Sequence, residues 1–214
     1  MLRDAAIADI QKGLGFRTDQ FDNCVAALQS AQRLLERGRT LPYFLQEEDV
    51  VVPILTGEAS FALPERFLRE VDDVGLHTLD DEDRVLYLEK MDHQVAVLRF
   101  QHVDADPGRP IAYSLLKATV ALWPTTDRDR TLIWTYYRGG ESLATNIENA
   151  WLDEEYGAPE VLIARAGMIV AEDLFNTEAY GKFQRRFLEA YAGMLGDTIQ
   201  RQEANKPLYM GGRL

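Results

Sequence analysis

The longest apolar stripe of this 214-residue chain lies near its end, and no other feature constrains the fold as much. Its members recur at intervals of three and four residues, which places them on one face of an α-helix: Tyr180, Phe183, Phe187, Tyr191, Leu195 and Ile199. Thr177 is a good N-cap for this helix, and Pro159 suits the first turn of a preceding helix that runs to about Asp173. A stripe this long must be buried, so other elements have to cover it.

The N-terminal part of the chain predicts two helices that could do so. The first spans about residues 2–13 and stops where Gly13 and Gly15 break the pattern. Thr18 or Asp19 caps the second, which ends at Gly38 and carries the stripe Phe21, Cys24, Val25, Leu28, Ala31 and Leu35. Because short helices are marginal alone in water, we expect the N-terminal pair to pack against the C-terminal pair.

Between the helical ends the pattern changes to short β runs. Strands are predicted at Val50–Leu55, Ser60–Leu63, Leu68–Leu76 and Arg84–Leu88, and Pro53 places the first of them at a sheet edge. A helix follows over about Asp92–Gln101, with Val95, Leu98 and His102 on one side. From Arg109 to Leu143, β-branched and aromatic runs predict an antiparallel meander in which Pro124 ends one strand. Alternation along its last strand predicts that one of Tyr136 and Tyr137 is in the core and the other exposed.

These patterns predict an α+β fold in which a helical bundle formed by both chain ends carries an inserted antiparallel β region. Residues 1–45 and 146–203 would form the helical body, and residues 46–145 the β-rich region. Residues 204–214, which lack periodicity, would form an extended C-terminal arm.

Composition narrows the classes of function. Thirty-five acidic against 23 basic residues give a formal charge of -12, which argues against a protein that grips nucleic acid through clustered Lys and Arg. The single cysteine, Cys24, excludes an intrachain disulfide and predicts folding in a reducing compartment. No apolar run approaches the length of a membrane span, and the N-terminus lacks the pattern of an export signal, so we expect a soluble protein.

Motifs for catalysis are weak. His77, His93 and His102 do not have metal-ligand spacing, and the acidic run from Asp80 to Asp83 lacks the alternation and glycine of a calcium loop. Three serines (Ser60, Ser114 and Ser142) lack the setting of an activated nucleophile, and Cys24 lies on the apolar stripe of its helix. A pair of carboxylates for glycoside cleavage cannot be singled out, because the 35 acidic residues offer many possible pairs. We therefore predict neither an enzyme nor a bound cofactor or metal.

The order of segments gives a more specific indication. An N-terminal helical pair over residues 2–37 precedes a strand region from Tyr43 to Leu88 that contains Ala62-Leu63-Pro64-Glu65-Arg66-Phe67. Pro110 to Tyr137 follow as a meander, and closing helices extend from Trp151 to about Gln202. In this order, nearly the whole chain resembles the head-to-tail adaptor, or connector, proteins of tailed bacteriophages, which include those similar to tail tubular protein A. One departure is the loop after the meander, which carries Gly139-Gly140 and few prolines.

The resemblance implies a structural protein of the virion, located at the head-tail junction and assembled in the host cytoplasm. Similar proteins form a twelve-subunit ring under the portal, dock the tail or nozzle protein, and let DNA pass through the lumen during genome ejection. The exposed, charged segments Asp104–Arg109 and Thr125–Arg130 are candidates for ring contacts. Two other functions stay open: a small virion-associated hydrolase, and a monomeric assembly or partner-binding module.

The C-terminal arm is the predicted binding site. Its apolar motif lies on a polar segment and consists of Lys206, Pro207, Leu208, Tyr209 and Met210. Apolar anchors on an extended segment can add to a partner's sheet or groove, so we expect this arm to bind the portal or a neighbouring subunit.

Overall fold

The fold is α+β, as the sequence predicts, and the chain divides into two compact units. A computed structural model describes residues 1–71, 75–79, 84–100, 106–145 and 147–204, and the side chains of these residues as far as residue 201. The first unit contains Met1–Leu45 and the chain from Gly139 onward, and the second is Gln46–Arg138. We call them the helical unit and the β unit.

The helical unit contains helices α1 (Arg3–Gly13), α2 (Phe21–Glu36), α4 (Ala158–Asp173) and α5 (Thr177–Ala204). Short 3₁₀ turns lie at Thr18–Gln20, Tyr43–Leu45, Ala150–Leu152 and Glu154–Tyr156. Helix α4 lies at the centre, because α1, α2 and α5 all pack against it. Residues are buried all around α4, as expected for a helix covered on every side.

The close approach of α5 to its neighbours depends on two glycines. The Phe183 ring of α5 is buried against Gly13 of α1 and Gly167 of α4. A Cβ atom added at Gly13 would lie 2.4 Å from Phe183 Cζ, and one added at Gly167 would lie 2.5 Å from Phe183 Cδ1. At the adjacent turn, the Arg186 guanidinium binds Asp9 of α1 at 2.7 Å and also Glu160 of α4.

Both predicted helix caps are wrong. Gln20 occupies the N-cap position of α2 without a side-chain cap bond, because the preceding residues form a 3₁₀ turn and Asp19 binds Arg17. Before α5, Asn176 Oδ1 accepts a hydrogen bond from the Ala179 amide at 3.0 Å and takes the role predicted for Thr177.

The β unit contains two sheets and helix α3 (His93–Phe100). The strands of sheet A are β1 (Gln46–Ile54), β3 (Phe67–Glu70), β4 (His77–Leu79), β5 (Val85–Tyr87) and β9 (Arg130–Arg138). They are arranged in the order β1-β9-β4-β5, and β3 also pairs with β9. Sheet B has the order β2-β8-β7-β6, from β2 (Ser60–Ala62), β8 (Thr119–Trp123), β7 (Ala112–Leu116) and β6 (Glu89–Lys90). Strand β1 forms an edge of sheet A, as Pro53 predicts.

The core of the β unit lies between the two sheets. Sheet A and its flanks contribute Ile54, Leu76, Leu132, Trp134 and Tyr136, and sheet B contributes Tyr113, Val120 and Leu122. Helix α3 covers the opposite face of sheet B, where Phe100 stacks on Trp123 at a centroid distance of 5.8 Å. The order of layers is therefore α3, sheet B, core and sheet A.

The predicted meander is wrong in its third strand. Strands β7 and β8 pair as an antiparallel hairpin and β8 ends at Trp123 before Pro124, but β9 then pairs with β1, β3 and β4 in the other sheet. Strand β9 provides the core with Leu132, Trp134 and Tyr136, which explains why it is strongly apolar. The predicted strand over Leu68–Leu76 is also too long, because β3 ends at Glu70 and β4 begins only at His77.

One predicted burial pattern is also wrong. Tyr136 and Tyr137 point to opposite faces, yet both are buried, and the Arg69 guanidinium lies 5.7 Å from the Tyr137 ring centroid. On α3 the buried residue is Ala96, whereas Val95 is 54% and Leu98 66% exposed. Val95 and Leu98 therefore lie on the exposed side of the helix.

Candidate functional site

Three loops meet at one end of the β unit and form the candidate site, which we call the three-loop end. They are Leu55–Glu58 between β1 and β2, residues 106–109 before β7, and Thr125–Asp129 between β8 and β9. The Gly108 amide donates to the Thr125 carbonyl at 2.7 Å, and the Gly57 amide donates to the Thr126 carbonyl at 2.9 Å. The middle loop is thus fixed to both of its neighbours.

Side chains strengthen this arrangement. Asp129 Oδ1 accepts hydrogen bonds from the backbone amide and the hydroxyl of Thr56, both at 2.8 Å. The Thr126 hydroxyl is fully buried and donates to the Arg128 carbonyl at 2.6 Å. These backbone groups are therefore satisfied within the loops and do not need water.

The three-loop end presents charge to solvent. The hydrogen bonds from Thr56 hold the pKa of Asp129 below its usual value, and the Arg130 guanidinium does the same to the pKa of Asp127, 2.7 Å away. Both carboxylates are therefore ionised at neutral pH, next to the exposed Arg128. Such a surface can orient a protein partner, but it contains no activated nucleophile.

The structure brings together the two segments that the sequence selected and adds a third. Thr125–Arg130 and the described part of Asp104–Arg109 lie side by side, while Thr56 and Gly57, which lie between the predicted strands Val50–Leu55 and Ser60–Leu63, complete the site. No local sequence signal could have revealed this, because the contact joins residues about seventy positions apart.

The other candidates from the sequence are in different environments. His93 Nδ1 lies 3.0 Å from Ser114 Oγ, but this serine is fully buried beneath α3, where a substrate cannot reach it in this conformation. His77 lies in β4 with its ring 5.3 Å from that of Tyr87. Cys24 is buried in α2 as predicted, and burial raises the pKa of its thiol to about 11.

A buried carboxylate between the sheets is structural. Glu70 accepts hydrogen bonds from the Tyr113 hydroxyl at 2.5 Å and from Trp134 Nε1 at 3.2 Å, and it pairs with Lys90 at 2.5 Å. Burial, followed by the hydrogen bond to Glu70, raises the pKa of Tyr113. These partners satisfy the carboxylate and join the two sheets.

Three sets of residues named in the sequence analysis lie outside the described residues. The arm residues Lys206, Pro207, Leu208, Tyr209 and Met210 are outside them, as are His102 and the acidic segment from Asp80 to Asp83. Among the residues that are described, no three His, Cys, Asp or Glu side chains gather where they could hold a metal ion. No described helix is both long enough and apolar enough to span a bilayer.

A protein-family model described as SU10 adaptor protein matches residues 2–211. The match covers both the helical unit and the β unit. No curated protein matches the chain.

Proposed function

The chain belongs to the SU10 adaptor protein family, and we propose from this premise that it is the head-to-tail adaptor of a tailed bacteriophage. Membership agrees with the resemblance to phage adaptors that the order of sequence segments indicates. The role of an adaptor in the virion is structural. The observation that carries the proposal is the extent of the match, because it spans residues 2–211 and so includes both units.

We propose that identical subunits, twelve as in similar proteins, form a ring under the portal and extend the channel for DNA. A closed ring requires a heterologous contact, in which one surface of a subunit meets a different surface of the next. The three-loop end suits the polar rim of such a contact, because it is ordered, charged and exposed. Rim charges guide orientation and partner choice more than they add affinity.

The acidic composition supports the role in DNA passage. A net charge of -12 on each subunit gives a ring a negative potential, which repels the phosphate backbone and avoids the Lys and Arg contacts that retain a duplex. DNA would therefore cross the lumen without specific binding.

Assembly with the portal tests the proposal. The purified full chain should be mixed with the portal protein of the same phage and analysed by native mass spectrometry and negative-stain electron microscopy. We expect a ring of adaptor subunits on one end of the portal, with or without a ring in the free protein. A chain that stays monomeric in both conditions would contradict the proposal.

The C-terminal arm provides a second test, because we propose that it attaches the subunit to the portal or to a neighbour. Deleting residues 205–214 should abolish attachment while circular dichroism shows an unchanged helical signal. A full-length control with Leu208, Tyr209 and Met210 replaced by serine separates the apolar anchors from the length of the arm. Portal binding by both variants at the level of the natural chain would exclude the arm as the attachment site.

A further inference from the structure

The last part of helix α5 extends beyond helix α4. Phe183 of α5 lies against Gly167 in the middle of α4. Arg186, about one turn further along α5, already binds Glu160 near the start of α4, so the two helices are antiparallel and α5 continues for several turns past that start. The turn Tyr43–Leu45 packs against α5 there. Because an unpacked helix end frays in water, contacts made by this turn stabilise the end of α5.

Arg201 makes the contact nearest the end of the helix. Its guanidinium lies over the Tyr43 ring, with Cζ 4.0 Å from the ring centroid. A cation and an aromatic ring attract each other within about 6 Å, and the other arginine–ring contacts of the described residues lie at 5.7–6.0 Å. No described carboxylate forms an ion pair with Arg201, so the ring is the partner of this guanidinium.

Tyr43 belongs to an aromatic cluster that is anchored in the core of the helical unit. Its ring meets the rings of Phe44 and Tyr156 edge to face, at centroid distances of 6.1 and 5.7 Å. Phe44 in turn stacks on Tyr156 and meets Trp151 edge to face, both at 5.2 Å. Trp151 is fully buried. Arg201 therefore packs on a ring whose position the core fixes from behind.

We propose that Arg201 is a positioning residue for the C-terminal arm. It lies in the last turn of α5, directly before the arm. By holding this turn against the Tyr43 ring, Arg201 makes the arm leave the helix at a fixed point and in a fixed direction. Without the contact, fraying would lengthen the flexible tether and lower the effective concentration of the arm at its binding site. This inference rests on the proposed function, because it concerns how the same arm reaches the portal or a neighbouring subunit.

Hydrogen exchange of the free protein tests the contact by itself. Arg201→Gln and Tyr43→Leu should each accelerate exchange of the backbone amides in the last two turns of α5 by about two- to fivefold, which is the effect of a cation–π contact at an exposed site. Tyr43→Phe keeps the ring and is the matched control, which should exchange like the natural chain. A cation near a helix C-terminus also interacts with the helix dipole, so Tyr43→Leu, which leaves that charge in place, is the decisive variant. Unchanged exchange in Tyr43→Leu would overturn the inference.

Attachment of the full chain to the portal protein of the same phage tests the positioning role. Arg201→Gln should weaken attachment by about tenfold or more, because the arms of a ring act together, while the midpoint of urea unfolding stays at its natural value. Arg201→Lys keeps a cation over the ring and should recover most of the attachment. Arg185→Gln, at an exposed arginine earlier on α5, is the matched control and should attach like the natural chain.

The outcomes separate this inference from the proposed function. Faster exchange at the end of α5 with undiminished attachment of Arg201→Gln would overturn the positioning role and leave the proposed function standing. Natural-level attachment by a chain without residues 205–214 would have the same consequence. If the natural chain itself does not attach to the portal, the proposed function and this inference fail together.

Discussion

Replacing Gly167 by alanine should destabilise the helical unit, although alanine normally favours a helix. The added methyl group would lie 2.5 Å from two ring carbons of Phe183, which is buried and confined on its other side by Gly13. Overpacking of this kind costs about 1–3 kcal/mol, while the change from glycine to alanine in a helix returns about 1 kcal/mol. Because the Phe183 ring is confined on both sides, the cost should lie in the upper part of that range, about 2–3 kcal/mol, which leaves a net loss of about 1–2 kcal/mol in the free energy of unfolding.

Urea unfolding followed by circular dichroism at 222 nm measures this loss. With a slope of about 2 kcal/mol per molar urea, the midpoint should fall by about 0.5–1 M. The matched control is Gly193→Ala on α5, where an added Cβ meets nothing within 4 Å, and it should raise stability by about 0.5–1 kcal/mol.

A double-mutant cycle shows whether the clash with Phe183 is the cause. Adding Phe183→Leu to Gly167→Ala should destabilise less than the sum of the two single changes, by about 1 kcal/mol or more. Additive effects, or a Gly167→Ala protein as stable as Gly193→Ala, would refute the explanation based on packing.

Three further predictions concern polar groups. Glu36→Ala removes the carboxylate that accepts hydrogen bonds from Gln32, Gly140 and Trp151. It should lower the free energy of unfolding by about 2 kcal/mol or more in the same urea assay, whereas the exposed control Glu189→Ala should have little effect. The folded-state pKa of Asp129 is depressed, so the stability that this carboxylate gives to the three-loop end is complete above its unfolded pKa of about 4 and is lost as pH falls through the folded value. Hydrogen exchange of the Thr56 amide should accelerate over that range, and Asp129→Asn should remove this pH dependence. Cys24, with a pKa raised to about 11, should react with Ellman's reagent at pH 8 only as the protein unfolds, and rapid reaction of the native protein would contradict its burial.

Periodicity in the sequence predicted the helices because it reports directly on burial. The predicted bounds of α1, α2, α4 and α5 agree with the structure to within a few residues, and the α+β class follows from them. The caps were less predictable, because Asn176 and Thr177 are both good N-caps and the sequence does not distinguish neighbouring candidates. The pairing of β9 could not be predicted, because a strand that follows a hairpin can continue the same sheet or cross to another.

The candidate site was predictable only in part, for a similar reason. Charge and turn residues identified two of its three loops, but the hydrogen bonds that bind them to Thr56 and Gly57 depend on the return of β9 beside β1. Topology, which the sequence reveals least, therefore decides which surface residues come together.

The exposed side of α3 gives more information about assembly. Both sides of this helix carry apolar residues, and the sequence predicts only that Val95 and Leu98 share one of them. On the other side Ala96 is buried and Phe100 stacks on Trp123, while Val95 and Leu98 stay exposed. A pattern of apolar residues indicates that a surface is to be buried, but it does not specify whether the same chain or another copy covers it. For a protein proposed to work as a ring, an apolar helix side that stays exposed in the subunit is the feature expected at the junction between subunits.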